Sequence, residues 1–257
     1  MYLLKGMIDA PRLKEGEVLV WTAELDSVTE ARLGQIARLL SRDEGQRASR
    51  FHFERDRKRF IVCRGILREI LGTYLQVNPD RIDFTYGPQG KPYLKDSEGQ
   101  TDGSVFFNVS HSSGWAIYAL GLGEVGVDLE FVRPIPEMQA LVDQYFSVAE
   151  RSAFRSVAPD LKLKAFYSCW TRKEAYVKAC GGGLQIPLDQ FDVSVDPSSP
   201  ARLLRVQETP GEQLPWSLHW CVQRRMSRAF AVNGPLDHTK LTSSPRTSGV
   251  IIPLCKS

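Results

Sequence analysis

The apolar positions change period along the chain, and the changes outline the elements. Residues 17–25 (EVLVWTAEL) alternate in part and predict a strand. Residues 28–40 place Leu33, Ile36, Ala37 and Leu40 at helical spacing. Ser41 followed by Glu44 has the form of a capping box and predicts a second helix start. Residues 56–75 keep a 3–4 period through Phe60, Cys63, Ile66, Leu67, Ile70 and Leu71, until Asn78-Pro79 breaks the chain. Between Phe84 and Tyr93, Gly87-Pro88 and Gly90 predict a loop or a turn-rich strand connection.

Two apolar runs, 105–109 and 115–120, flank Ser110-His111-Ser112-Ser113-Gly114 and predict a hairpin with a polar turn. Residues 125–129 predict a third strand. Ser147 and Glu150 form a second capping-box pattern, opening a helix over 148–157. A helix over 161–180 ends at Gly181-Gly182-Gly183. Short strands are expected near 190–195, 202–207, 216–223 and 227–233. Residues 234–257, rich in Pro, Ser and Thr, read as a poorly ordered tail, with Val250–Leu254 as a candidate short strand. Strand, helices, strands thus occurs twice, and laying Arg59–Cys63 over Ala165–Cys169 matches a Phe and a Cys, a faint sign of internal duplication.

Composition narrows the class. The 257 residues are 42% hydrophobic and 25% charged, which is ordinary for a globular chain with a sizeable core. No apolar run approaches the roughly 18–20 residues of a membrane helix, and the N-terminus lacks a signal-peptide h-region. A soluble, cytoplasmic protein is expected. The cysteines (Cys63, Cys169, Cys180, Cys221, Cys255) are odd in number and form no CxxC, so buried free thiols are expected rather than disulfides or a zinc site. A net charge of +3 gives no ground for general nucleic-acid binding. Residues 42–68, however, carry nine basic against four acidic side chains. That segment is either a solvated helix face or an electropositive wall for a polyanion or acidic partner.

Four constellations carry candidate chemistry. In Val125-Gly126-Val127-Asp128-Leu129-Glu130, strand alternation projects Asp128 and Glu130 together while Val127 and Leu129 face the core. Such a pair calls for solvent or a cation between its members. In Trp170-Thr171-Arg172-Lys173-Glu174-Ala175-Tyr176-Val177-Lys178, Glu174 and Lys178 are i, i+4 neighbours, ordinarily an exposed salt pair. A third carboxylate joining Asp128 and Glu130 makes a metal and diphosphate site conceivable. Asn108-Val109-Ser110-His111-Ser112 places a histidine in a turn, and Gly90-Lys91-Pro92 a lysine in a tight loop; both could meet the same anion. Walker, GxGxxG, GxSxG and HExxH patterns are absent.

Together these residues resemble the Sfp-type 4′-phosphopantetheinyl transferase family. Its signature is a Gly-Val-Asp-Ile/Leu-Glu strand followed some forty residues later by a Trp-x-x-Lys-Glu-Ala-x-x-Lys helix, here Gly126–Glu130 and Trp170–Lys178. Gly90-Lys91-Pro92, Phe107–Ser112, and Phe146-Ser147 with Glu150 match in order, and the likeness spans roughly residues 15–233. The resemblance implies an α+β fold of two lobes related by pseudo-twofold symmetry: lobes 1–122 and 123–234, a tail 235–257, and an active site in the cleft between the lobes. It implies that 4′-phosphopantetheine passes from coenzyme A to a serine of an apo acyl or peptidyl carrier protein, of fatty-acid, polyketide or nonribosomal-peptide type, leaving adenosine 3′,5′-bisphosphate.

The same resemblance makes Asp128, Glu130 and Glu174 ligands of Mg²⁺, with Mn²⁺ able to substitute. Glu174 becomes the general base, directly or through a water, and Lys178 the grip on the pyrophosphate. Arg47, Lys91, Pro92, Asn108, Ser110, His111, Asp128, Lys173 and Lys178 become coenzyme contacts. Glu44 stands where some relatives carry a lysine, so Arg50 or Arg59 is expected to help hold the 3′-phosphate. Leu184 and Ile186 offer apolar contacts to the carrier. With both lobes in one chain a monomer is expected, binding neither nucleic acid nor membrane. Two alternatives use the same residues: a nuclease or pyrophosphohydrolase with water as acceptor, and a non-catalytic carrier-binding module.

Overall fold

The computed structural model describes residues 13–95, 105–206, 216–223 and 225–234. The first half runs β1 (Val18–Glu24), α1 (Glu30–Ala37), α2 (Arg42–Ser49), α3 (Glu54–Leu75), β2 (Phe84–Tyr86), β3 (Pro92–Leu94), β4 (Phe106–Ser112) and β5 (Trp115–Gly121). The second runs β6 (Val125–Phe131), α4 (Met138–Tyr145), α5 (Val148–Ser156), α6 (Lys162–Cys180), β7 (Phe191–Val193), β8 (Leu203–Val206), β9 (Trp216–Gln223) and β10 (Met226–Asn233). Two antiparallel sheets, ordered β1-β5-β4 and β6-β10-β9, carry the mixed helix-and-sheet fold; β2-β3 and β7-β8 are small ladders beside them.

The layers follow from which face each strand residue presents. Leu19, Trp21, Tyr118 and Leu120 pack on Val62, Leu67 and Leu71 of α3. The other face of that sheet, with Val18, Val20, Ile117 and Ala119, meets Val125, Val127, Leu129 and Phe230 of the second sheet. Beyond that sheet, Ala229 and Ala231 share a core with Phe166, Cys169, Ala175 and Ala179 of α6. A helix–sheet–sheet–helix stack leaves the central strands buried on both faces, which is why β1 and β5 read as nearly continuous apolar runs.

The capping boxes form as expected. Glu44 Oε2 accepts from Ser41 N at 3.0 Å, and Glu150 Oε2 accepts from Ser147 N at 2.9 Å. The β4–β5 turn is the two residues Ser113 and Gly114, at φ 50° and 81°, the left-handed pair that suits the twist of a tight hairpin. Gly181, at φ 71°, closes α6. Residues 84–93 form the β2–β3 hairpin. The strand over 125–131 joins β10 rather than the β4–β5 sheet. One element escapes the sequence reading: α4, although Met138, Leu141, Val142 and Tyr145 keep a helical stripe. The candidate strand Val250–Leu254 lies outside the described residues. Among the described residues no helix is long and apolar enough to cross a membrane.

Candidate active site between β6 and α6

The site begins with a missing side chain. A Cβ on Gly126 would collide with the Ala175 carbonyl and the Ala179 amide, both backbone atoms of α6. Only glycine lets β6 lie this close to α6. The approach turns Asp128 and Glu130 toward Glu174 and Lys178, while Val127 and Leu129 point into the core between the sheets. Asp128 is 3% exposed. Its Oδ1 accepts from Lys178 Nζ at 2.5 Å and from Ser110 Oγ at 3.1 Å, and Lys178 also donates to Ser110 Oγ at 3.0 Å. The expected Glu174–Lys178 pair is thus replaced by a bond from the helix to the strand. Ser112 Oγ donates to Glu130 Oε2 at 3.0 Å and accepts from Phe131 N at 3.2 Å, and Asn108 Oδ1 accepts from Val127 N at 3.0 Å.

Charge in this cluster is unbalanced. Asp128 Oδ2 is buried without a hydrogen-bond partner. Burial, and then the negative charge of Asp128, hold the Glu130 carboxyl above its ordinary range, with Glu174 adding to the effect. The same two causes raise Glu174, opposed by Lys178. Uncompensated carboxylate oxygens, one of them orphaned, suit a hard divalent cation such as Mg²⁺. No group of three His, Cys, Asp or Glu side chains among the described residues is gathered as a ready-made metal cage.

His111 points away from the carboxylates, toward a cavity of about 200 Å³ lined by Leu25, Phe51, Asp56, Arg59, Phe60, His111, Ser113 and Gly114. Partial desolvation and the positive charges of Lys178, Arg59 and Arg47 hold its pKa below the usual imidazole value. Arg47 lies over the Phe60 ring, 5.5 Å from its centroid. Arg59 is paired with Asp26 at 2.5 Å.

Other candidates sit elsewhere. Lys173 is 0% exposed on the opposite side of α6, donating to the carbonyls of Leu188 and Phe191 and paired with Glu150 at 2.8 Å. The ammonium of Lys91 is engaged by Glu124 and by the Ala179 carbonyl at the end of α6, and Pro92 begins β3 beside it. Glu44 is 1% exposed and lies between Arg64 (2.9 Å) and Arg68 (2.6 Å), which itself donates to the Pro79 and Ile82 carbonyls. With Arg57 on Glu54, Lys58 on Glu30 and Arg59 on Asp26, much of the positive charge of residues 42–68 is neutralised by acidic partners. Ile186 folds under Gly182 against the C-terminal core, and the side chains of Leu184, Cys221 and Cys255 lie outside the described residues. Cys63 and Cys169 are buried thiols, whereas Cys180 is exposed. The sequence reading gives no role to Ser112 or Gly126, though the period-2 row Asn108, Ser110, Ser112 and the lone glycine opening β6 carry the signal.

Comparison with known proteins places both halves of the chain. A family model described as the 4′-phosphopantetheinyl transferase superfamily matches residues 124–232, and one described as 4′-phosphopantetheinyl transferase, N-terminal, matches residues 27–121. The chain is 39% identical to 4′-phosphopantetheinyl transferase HetI of Nostoc sp., over 80% of this chain and 83% of that protein. It is 29% identical to 4′-phosphopantetheinyl transferase Sfp of Bacillus subtilis, over 60% and 66% respectively. It is 32% identical to L-aminoadipate-semialdehyde dehydrogenase-phosphopantetheinyl transferase of Xenopus laevis, over 63% and 56%.

Proposed function

This chain belongs to the 4′-phosphopantetheinyl transferase superfamily, and from that membership we propose that the β6–α6 cluster is the centre at which it transfers phosphopantetheine from coenzyme A to a carrier-protein serine. The observation that carries the assignment is the convergence of Asp128, Glu130, Glu174 and Lys178 made possible by Gly126.

Asp128, Glu130 and Glu174 would hold the divalent cation, magnesium by preference and manganese in its place. Bound there, the ion supplies charge neutralisation for the pyrophosphate of coenzyme A. Lys178 is near enough to Asp128 to meet the same pyrophosphate and to stabilise charge on the departing adenosine 3′,5′-bisphosphate. A serine hydroxyl is a weak nucleophile until its proton is taken. Glu174, directly or through a water, would be the acceptor. His111, Arg47 and Arg59 around the neighbouring cavity would hold the 3′-phosphate. Lys91 acts by tying the β2–β3 loop to the end of α6, and Lys173 by fixing α6 to α5 and β7. The cluster thus supplies an acceptor base and a phosphate grip, which a non-catalytic carrier-binding module does not need.

The two halves, 1–122 and 123–234 with 235–257 as a tail, are read as lobes related by a pseudo-twofold axis. The repeated order strand, three helices, small ladder, two strands supports this, as do the matching sheet orders. With both lobes in one chain, a monomer in the cytoplasm is the expected form. An acidic carrier would dock at α6 and the loop after it. The test is mass spectrometry of apo carriers of fatty-acid, polyketide and peptide type, incubated with coenzyme A, Mg²⁺ and the protein. A gain of one phosphopantetheine, lost with Glu174→Gln or Asp128→Ala, is expected. Hydrolysis of coenzyme A with no carrier gain would move the reading to a pyrophosphohydrolase.

A further inference from the structure

β6 is an edge strand: β10 pairs with one side of it, and its other side meets the inner face of β4 without a backbone ladder. Alternate N–H groups along a buried edge need partners from elsewhere. β4 supplies two of them from side chains, Asn108 Oδ1 for Val127 N and Ser112 Oγ for Phe131 N. Residues i, i+2 and i+4 of a strand share a face, so Asn108, Ser110 and Ser112 form one polar row along β6. Each serine in the row also holds a carboxylate: Ser110 bonds Asp128 Oδ1 and Ser112 bonds Glu130 Oε2.

We propose that Ser112 is a positioning residue for Glu130, fixing one carboxylate oxygen so that the other is available to a divalent cation, and so setting the cation affinity of the site without altering coenzyme A recognition. The proposal rests on the reading of Asp128, Glu130 and Glu174 as the metal ligands. A glutamate side chain has rotamer freedom to lose on ordering. Asp128 and Glu174 both repel Glu130, so a free side chain would swing toward solvent. Ser112 opposes that with a directed proton. Its acceptor side is occupied by Phe131 N–H at 3.2 Å, which orients the hydroxyl, and its hydrogen then goes to Glu130 at 3.0 Å. A backbone-anchored hydroxyl is therefore the link between the first half of the chain and the outer member of the carboxylate trio.

The test is Mn²⁺ titration, followed by loss of the electron-paramagnetic-resonance signal of the free ion, on wild type, Ser112→Ala, Ser112→Thr and Asp128→Asn. Ser112→Ala is expected to bind Mn²⁺ about 10–100-fold more weakly, the usual effect of removing a group that orients a metal ligand. Ser112→Thr, which keeps the hydroxyl, is expected to stay within about threefold of wild type. At saturating metal, the KM of Ser112→Ala for coenzyme A is expected to stay within about twofold. Wild-type Mn²⁺ binding by Ser112→Ala overturns the proposal, as does a Ser112→Thr as weak as Ser112→Ala. If Ser112→Ala does not fold by circular dichroism, Ser112→Cys, similar in size but a poor donor, takes its place with the same expected loss and the same overturning result. Asp128→Asn separates the two readings. If it binds Mn²⁺ like wild type, the metal assignment itself falls; if it loses binding while Ser112→Ala does not, only the role of Ser112 falls.

Discussion

Lys178 and Asp128 form an ion pair across the β6–α6 junction at 2.5 Å, with the Asp128 side chain 4% exposed and the Lys178 side chain 31% exposed. The lysine is the partly solvated partner and the aspartate the buried one. Removing the lysine strands the aspartate. Lys178→Met is expected to lower the stability of the metal-free protein by about 1–3 kcal/mol, below the usual range for a fully buried pair because Lys178 is partly solvated. Asp128→Asn in the same chain should recover most of that loss, a coupling that a double-mutant cycle in urea measures. Turnover should fall with Lys178→Met in the otherwise wild-type chain.

Gly126→Ala tests the close approach itself. Its methyl would meet backbone of α6 rather than a side chain that can rotate away. Strand and helix must therefore part. We expect a loss of about 3 kcal/mol or more, beyond the usual 1–3 kcal/mol of core overpacking, read as a lower urea midpoint. A Gly126→Ala protein of wild-type stability would contradict the packing described above.

The raised carboxyls of Glu130 and Glu174 fix the sign of a pH dependence. In the folded, metal-free protein they keep protons to a higher pH than in the unfolded chain, where a glutamate titrates near 4.5. The folded state binds more protons in that window, so their contribution to stability falls as pH rises from 4.5 through the raised values. A cation competes with those protons, so Mg²⁺ should stabilise the protein more at pH 7.5 than at about pH 5. Melting temperatures in EDTA and in Mg²⁺ across that range check both signs, and Glu174→Gln should flatten the EDTA slope.

Lys173→Met separates two lysines five residues apart. It leaves Glu150 buried without its cation, so the expected cost is about 3–5 kcal/mol. The folded fraction should keep its KM for coenzyme A. A large rise in that KM at unchanged stability would return Lys173 to the coenzyme site.

These two lysines also show where sequence pattern stops. A local motif marks Lys173, Glu174 and Lys178 alike, and helical spacing pairs Glu174 with Lys178. Which face of α6 meets β6 and which meets α5 is decided by contacts between residues far apart in the chain, Gly126 with Ala175 on one side and Glu150 with Lys173 on the other. Elements with their own periodicity, such as α3, α6 and the β4–β5 hairpin, were legible because each carries its apolar stripe and its terminators locally. So were the two capping boxes. The inward turn of Glu44 was not legible, because a capping-box glutamate looks the same in sequence whether it faces solvent or two buried arginines. The basic run 42–68 leaves two readings open for a related reason: two of its neutralising partners, Glu30 and Asp26, lie outside it.

The enclosure of Glu44 between Arg64 and Arg68 has a consequence for engineering. A lysine grafted at position 44 to tighten coenzyme binding would bring a third cation into a sealed pocket and remove the acceptor that caps α2. Positions 44, 64 and 68 therefore exchange as a set. Redesign of this corner has to replace all three at once or leave them alone.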